Sequence, residues 1–430
     1  MPRPEVPGIF RNIHTPTRIF QRSAPGLLWP VALSVALLAA RTAAAPPLSD
    51  PLGAPLPASL HLEYPWLYLA LAPLFSLWDG VYMLSLSRLR GFLTGLLLLY
   101  LLWRVGRAWW PGTAAARATA RRTLLRELAL ATGALVALAL FIALGLLWHR
   151  PMARLAGAEP STVVFDVHSH TNVSHDVRGT LMRGFDAQAA RRWHGRAGFD
   201  AFFVTDHNTV AGLIPPVDAP VVCPGIEVSA WRAHVVLLGD TVSVDRSRYD
   251  GSLDELRALL AESDRLYGAP SVLSLPEYAR NHWNRLDTLI AAGADGLELV
   301  NASPAANELS RPRRDSVIAL ARRTGRFLVG ASDSHGWGAT SMVWNLMAMP
   351  EARPRGAALC RALVTGLRGG FGSSRIIERH RLQADSAWPS WLTPLGVVWE
   401  TWRGMDGALT AAWLIWIWLL WAVRRARYTS

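Results

Sequence analysis

The uncharged run Leu128–Trp148 is the strongest constraint on this chain. It is long enough to cross a bilayer, and it lacks the polar face a soluble helix would show. In hydrocarbon the backbone must satisfy its own hydrogen bonds, so the run reads as a transmembrane helix. Gly407–Val423 is shorter but intensely apolar, with Trp413, Trp416, Trp418 and Trp421, and reads as a span too. Ser23–Ala40 is a third candidate, although its basic start and its Ala43-Ala44-Ala45 tail also resemble a secretion signal. Tyr64–Trp78 and Gly91–Trp103 are short and interrupted by Asp79, Arg88 and Arg90. They read as two tilted spans, or as one span and an interfacial piece.

The net charge of +12 is carried by arginine alone, for the chain contains no Lys. Such an excess could indicate nucleic acid, but much of it flanks apolar segments, where it sets topology. Arg104, Arg107, Arg117, Arg121, Arg122 and Arg126 precede Leu128, and Arg424, Arg425 and Arg427 follow Val423. Both groups prefer the cytoplasm, which puts the region between these spans outside it. Arg3, Arg11, Arg18 and Arg22 also prefer the cytoplasm, so an even number of crossings is expected before Arg104. On this count Gly91–Trp103 is not expected to span fully. The two Cys, Cys223 and Cys360, imply no disulfide framework and allow no cysteine zinc cluster. Cys223, in an apolar run, reads as a small core residue. The Ala/Pro-rich Ala43–Pro57 reads as an exposed loop, and Trp388, Trp391, Trp399 and Trp402 resemble an interfacial belt.

Between the spans, short apolar strands alternate with helical stretches. Strands are expected at Val163–Val167, Ala201–Thr205, Val221–Val228, His234–Leu238, Ser271–Leu275, Gly296–Val300 and Arg326–Ala331. Helices are expected at Asp186–Gly198, Ser252–Tyr267, Leu286–Ala292 and Arg311–Thr324. The alternation predicts a parallel sheet with enough strands to close a barrel, whose site lies where the strands end. Chemically capable residues do follow the strands. Asp166, His168 and His170 have the spacing that shares one strand face, and His175 and Asp176 come in the next turn. Asp206 and His207 follow the second strand, Glu227 lies in the third and His234 opens the fourth. Asp333 and His335 follow the last. Imidazoles and carboxylates converging in this way suit a divalent metal.

The ordered set His168-x-His170, Thr205-Asp206-His207-Asn208, Gly225-Ile226-Glu227, His234 and Asp333-x-His335 resembles the PHP (polymerase and histidinol phosphatase) family over roughly half the chain. The resemblance implies a distorted (β/α)7 TIM-like barrel and a phosphoester hydrolase holding two or three divalent ions (Mn, Zn or Fe). It implies metal ligation by His168, His170, His207, Glu227 as a bridge, His234, Asp333 and His335, with His175 or Asp176 completing the set and His175 slightly favoured. The family often has a His at the end of the fifth strand, where Leu275 stands here; Glu277 or His282 could substitute.

The expected reaction is hydrolysis of a phosphomonoester or phosphodiester by a metal-bound hydroxide. Glu227, His170 and Asp206 are the catalytic candidates, with Asp206 orienting His207 or acting from behind it. Arg178, Arg280 and Asn301 are candidate substrate contacts. The alternatives are a sensor or scaffold built on a degenerate barrel, or a nuclease for short single strands. The latter would need aromatics such as Trp231, Trp283 and Trp337 beside a basic channel, and no dense Arg stripe is present. The expected organisation is a membrane region at 1–126 with two or three spans, a transmembrane helix at 127–149, the hydrolase domain at 157–386, and a Trp-rich segment with the last span at 387–430. The expected partners are a lipid bilayer and a phosphorylated small molecule or lipid. The expected location is a bacterial-type plasma membrane, with the catalytic domain outside the cytoplasm.

Overall fold

The computed structural model describes residues 17–109, 120–182, 184–216, 219–245, 251–349 and 353–429. Arg3, Arg11 and Arg117, which entered the orientation argument, lie outside the described residues. The strands are β1 Leu48–Ser49, β2 His61–Glu63, β3 Arg154–Ala156, β4 Thr162–Asp166, β5 Ala201–Val204, β6 Val221–Ala230, β7 Ala233–Leu238, β8 Ser271–Leu273, β9 Gly296–Asn301, β10 Phe327–Ala331, β11 Val343–Ala348 and β12 Arg375–Arg379. Ten of them form one sheet in the order β1-β12-β11-β4-β5-β6-β7-β8-β9-β10, and β2 pairs with β3.

The sheet is mixed, not the parallel one expected. β6 and β7 are joined by the two residues Trp231 and Arg232, with φ of +49° and +55°. Two positive-φ residues make a tight hairpin, leaving no room for a crossover helix, so β7 runs antiparallel to β6 and β8. The strict alternation of a (β/α)7 barrel breaks there. The result is a curled half-barrel in which edge strand β10 comes round to lie beside β11 and β4. The Asn345 side chain links them: Nδ2 donates to the carbonyls of Gly330 and Phe165, and Oδ1 accepts from Gly330 N. Beyond β4 and β10 the two chains bond directly, Asp333 N to His168 O and His170 N to Ser334 O. This is what brings the first and last histidine motifs together.

Alternate residues of the strands separate two packing layers. Val164, Phe202 and Val204 pack outward against Trp193 and Ala189 of the Ala187–Ala197 helix. Val163, Phe165, Phe203 and Val329 face the other way and meet Leu359 and Leu363 of the Gly356–Leu367 helix. Cys223 of β6 and Cys360 of that helix form a disulfide across this layer. Cys223 is a buried core residue as expected, but the two Cys do form a disulfide where none was implied, because the fold brings together positions 137 residues apart.

Among the described residues, three helical stretches are long and apolar enough to cross a membrane, Leu86–Gly106, Arg126–Leu147 and Gly407–Arg427, and Gly26–Thr42 is a shorter apolar helix. Gly91–Trp103, doubted above as a full span, lies inside the continuous Leu86–Trp109 helix. Tyr64–Trp78 is instead split between Trp66–Ala70 and Ala72–Tyr82, because Leu71 leaves helical geometry and Pro73 opens the second helix. These short helices pack with Trp402 and Trp413. Trp402 is buried and Trp388 donates to Glu400, so neither serves the exposed belt expected of it; Trp391 remains exposed. Arg88 turns into the domain and donates to the carbonyls of Ala384, Ser386 and Trp388. The Ala/Pro-rich stretch, expected as a loop, supplies edge strand β1, paired to β12.

Candidate metal centre

The site lies where β4, β5 and β10 end, and β6 carries both the disulfide's Cys223 near its start and Glu227 further along. His168 and His170 follow β4, His207 follows β5, Glu227 is in β6, His234 opens β7, and Asp333 follows β10. Asp176 is carried by the short His175–Arg178 helix. Asp333 adopts φ +44°, a strained backbone for a residue with a Cβ.

Among the described residues, three overlapping groups of ligand-capable side chains result: His168, His170 and Asp333; His170, Asp176 and His207; His207, Glu227 and His234. Within each group the potential ligand atoms lie within 4.8 Å of one another. Glu227 is at the centre. Its Oε2 is 3.1 Å from His168 Nε2, 3.3 Å from His170 Nε2 and 3.3 Å from His207 Nε2, and its Oε1 is 3.0 Å from His234 Nδ1. Asp333 Oδ1 lies 3.3 Å from His170 Nε2.

The donor set fits cations. Glu298 Oε1 lies 2.6 Å from His168 Nδ1, so that nitrogen donates and Nε2 faces Glu227 and Asp333. His170 Nε2 lies 3.0 Å from His168 Nε2. Lone pairs gathered this closely need positive charge between them, from protons or metal. Without metal the protons supply it. Burial lowers His168, yet Glu227, Asp333 and Glu298 outweigh it and hold the imidazolium well above its usual range. His170, buried and facing His335, is pushed down to about 4. Burial alone would raise Asp176 and Glu227, but the histidines around them hold both well below the usual carboxylate range.

No family model matches the sequence, and no curated protein matches it. Solved structures do resemble it. PsfC from Pseudomonas syringae aligns at 17% identity and a TM-score of 0.35, over 55% of this chain and 96% of that one. A proposed metal-dependent phosphoesterase from Bifidobacterium adolescentis aligns at 16% identity and 0.29, over 40% and 88%. The lesion-specific endonuclease EndoQ from Pyrococcus furiosus aligns at 14% and 0.32, over 50% and 57%. At such identities and scores the chemistry of this site rests on its own side chains.

Several expected residues sit elsewhere. Asp166 does not share the face of His168 and His170; it binds His194 Nε2 at 2.9 Å and the backbone and hydroxyl of Ser332. His175 is exposed and outside the three groups, its ring 4.6 Å from that of His207, and Asp176 takes the inward place. His335 is also outside the groups; it holds Asp176 Oδ2 through Nε2 at 2.6 Å. Asp206 spends its oxygens on the backbone and hydroxyl of Thr171, at 2.6 and 2.7 Å, so it braces the turn after His170 and not His207. Burial pushes its carboxyl up to about 6. Gly212 makes room for this contact, since a Cβ there would lie 2.1 Å from Asp206 Oδ2.

Arg178 and Arg280 are exposed, and Arg178 shares the short helix that carries Asp176. Asn301 is buried and donates to Glu298 Oε2 at 2.8 Å, so it positions Glu298. Glu298, which sequence reasoning missed, also accepts from the backbone of Leu275 at 2.8 Å. Leu275 therefore contributes its N–H where a histidine ring was looked for. His282 stacks on Trp231 and is not a substitute, whereas Glu277 Oε2 reaches within 3.8 Å of His234. Trp231 and Trp337 each pack on a histidine, His282 and His149. Ser174, also missed, links His170 Nδ1 at 3.3 Å to Asp176.

Proposed function

We propose that this protein is a membrane-anchored, metal-dependent phosphoester hydrolase. The observation that carries the reading is Glu227, whose two oxygens stand within 3.3 Å of four imidazoles drawn from three separate segments. His168, His170 and Asp333 would hold one cation, and His207, Glu227 and His234 another, with Asp176 beside both. Cations bound there would polarise a phosphoryl oxygen and acidify a water. In the hydrolysis, water's oxygen bonds to phosphorus, the ester P–O bond breaks, and the leaving alcohol takes the proton. Glu298 fixes the tautomer of His168, Ser174 orients His170, and Asp206 holds the turn after His170.

For topology we infer that the helices Thr17–Thr42 and Leu86–Trp109 both cross. They make an even number of crossings before Arg104 and reconcile the arginine flanks with an extracytoplasmic domain. The Cys223–Cys360 disulfide supports the same side, since disulfides persist in oxidising compartments.

The full chain, purified in detergent and loaded with Mn or Zn, should retain metal and hydrolyse p-nitrophenyl phosphate or its bis ester. The His168→Ala variant should lose both. A wild-type protein that binds metal stoichiometrically yet turns over neither ester would sink the hydrolase reading.

A further inference from the structure

A cavity of about 260 Å³ joins the candidate metal centre to the last turn of the Arg126–Leu147 span. Asp176, Thr180 and His335 are polar in its wall, Leu146, Leu181 and Met182 are apolar, and Tyr82 adds an aromatic ring. The loop after His335 rests directly on the span. A Cβ on Gly338 would lie 2.6 Å from Leu146 Cδ2, and one on Gly336 would lie 2.5 Å from Met182 Cγ. Two bare backbone positions thus let the loop lie close against the span and against Met182. Leu181 stands at its mouth 71% exposed, a large apolar side chain facing outward beside charged groups. A small water-soluble phosphoester gives these apolar walls nothing to bury.

We propose that the substrate is an amphiphilic phosphoester whose hydrocarbon chain lies along Leu146, Leu181 and Met182 while its phosphoryl group faces Glu227 and the histidines. The proposal rests on the hydrolase reading above and names its substrate class. The chain enters sideways from the bilayer at the end of the span, and the head group meets Asp176 and His335 first. The cavity carries this assignment because it shares walls with both the membrane helix and the ligand groups.

The test uses the full chain in phosphatidylcholine nanodiscs with Mn, and a non-hydrolysable dodecylphosphonate carrying a diazirine at its chain end. Irradiation followed by peptide mapping should label the segments holding Leu181–Met182 and Leu146. Excess dodecylphosphonate should abolish that labelling, and methylphosphonate at equal concentration should not. The Leu181→Asp variant should lower labelling about tenfold or more, the scale of apolar discrimination in a pocket. Met182→Ser supplies the same readout if Leu181→Asp does not fold. Labelling confined to other spans, or equal competition by methylphosphonate, would overturn the proposal. Labelling needs no turnover. Hydrolysis of p-nitrophenyl phosphate without chain-dependent labelling therefore strikes this inference alone, and labelling without hydrolysis of any ester strikes only the hydrolase reading.

Discussion

His168 Nδ1 and Glu298 Oε1 lie 2.6 Å apart, both fully buried, and this contact decides which nitrogen of His168 faces the cluster. The other oxygen of Glu298 is held by Leu275 N and Asn301 Nδ2, so the carboxylate has no freedom to turn away. We expect Glu298→Ala to weaken metal affinity about 10- to 100-fold, the usual cost of losing the group that orients a ligating imidazole. Glu298→Gln keeps an acceptor for Nδ1 and should recover part of the loss. Titration of the metal-free protein with Mn or Zn reads both, and equal affinity in all three proteins would refute the orienting role.

Proton and metal compete within one cluster, at His168 directly and at His335 through the Asp176 carboxylate it holds. In the metal-free protein burial works against a charge on His335, but Asp333 and Asp176 prevail and push it up to about 9. His168 is raised as well. Cations must displace these protons, so affinity should climb between pH 6 and pH 9 by roughly tenfold per pH unit for each proton released. Calorimetry in buffers of different ionisation enthalpy counts the protons. Affinity flat across that range would contradict the raised imidazoles.

The disulfide makes a separate claim. It closes a loop between positions 137 residues apart, so its loss should act mainly by freeing the unfolded chain. We expect Cys360→Ser to lower stability by about 2–5 kcal/mol. Wild-type protein alkylated without reductant should carry no label on either cysteine. Quantitative labelling of protein taken directly from cells would refute the oxidised pair and the extracytoplasmic placement together.

These tests divide along what could be read from the chain. His168, His170, His207, Glu227, His234 and Asp333 were legible because each lies in a strand or just past its end, where local order places it. Glu298 was not, although an acidic residue inside Gly296–Asn301, a wholly buried strand, is itself a signal: it must have a partner. His175 and Asp176 are adjacent, and only the four-residue helix that carries them decides which turns inward. The parallel barrel failed at Trp231 and Arg232, because positive φ at two ordinary residues leaves no composition signature. The cysteine pairing and the Asp166–His194 contact join distant segments, which local periodicity does not report.

Asp79 tests how the membrane helices are joined to the domain. Read from sequence, it only ended an apolar run; in the structure it is fully buried between Arg150 and Arg379, at 3.0 and 2.7 Å. Tyr68 and Thr340 donate to it as well. Arg150 follows the Arg126–Leu147 span, and Arg379 ends β12, so one carboxylate ties span, short helices and sheet together. Removing it leaves two buried guanidinium groups uncompensated, and we expect Asp79→Ala to cost about 3–5 kcal/mol. Burial works to raise its pKa, but the two arginines prevail and hold it below the ordinary value. The stabilisation is therefore complete above the unfolded pKa of about 3.9 and is lost as pH falls through the lower folded value. Thermal melts of the full chain in nanodiscs at pH 7 read the mutational cost, and a pH series below 4 reads the linkage. An Asp79→Ala protein as stable as wild type at pH 7 would mean that water reaches these arginines and that the junction is held by apolar packing alone.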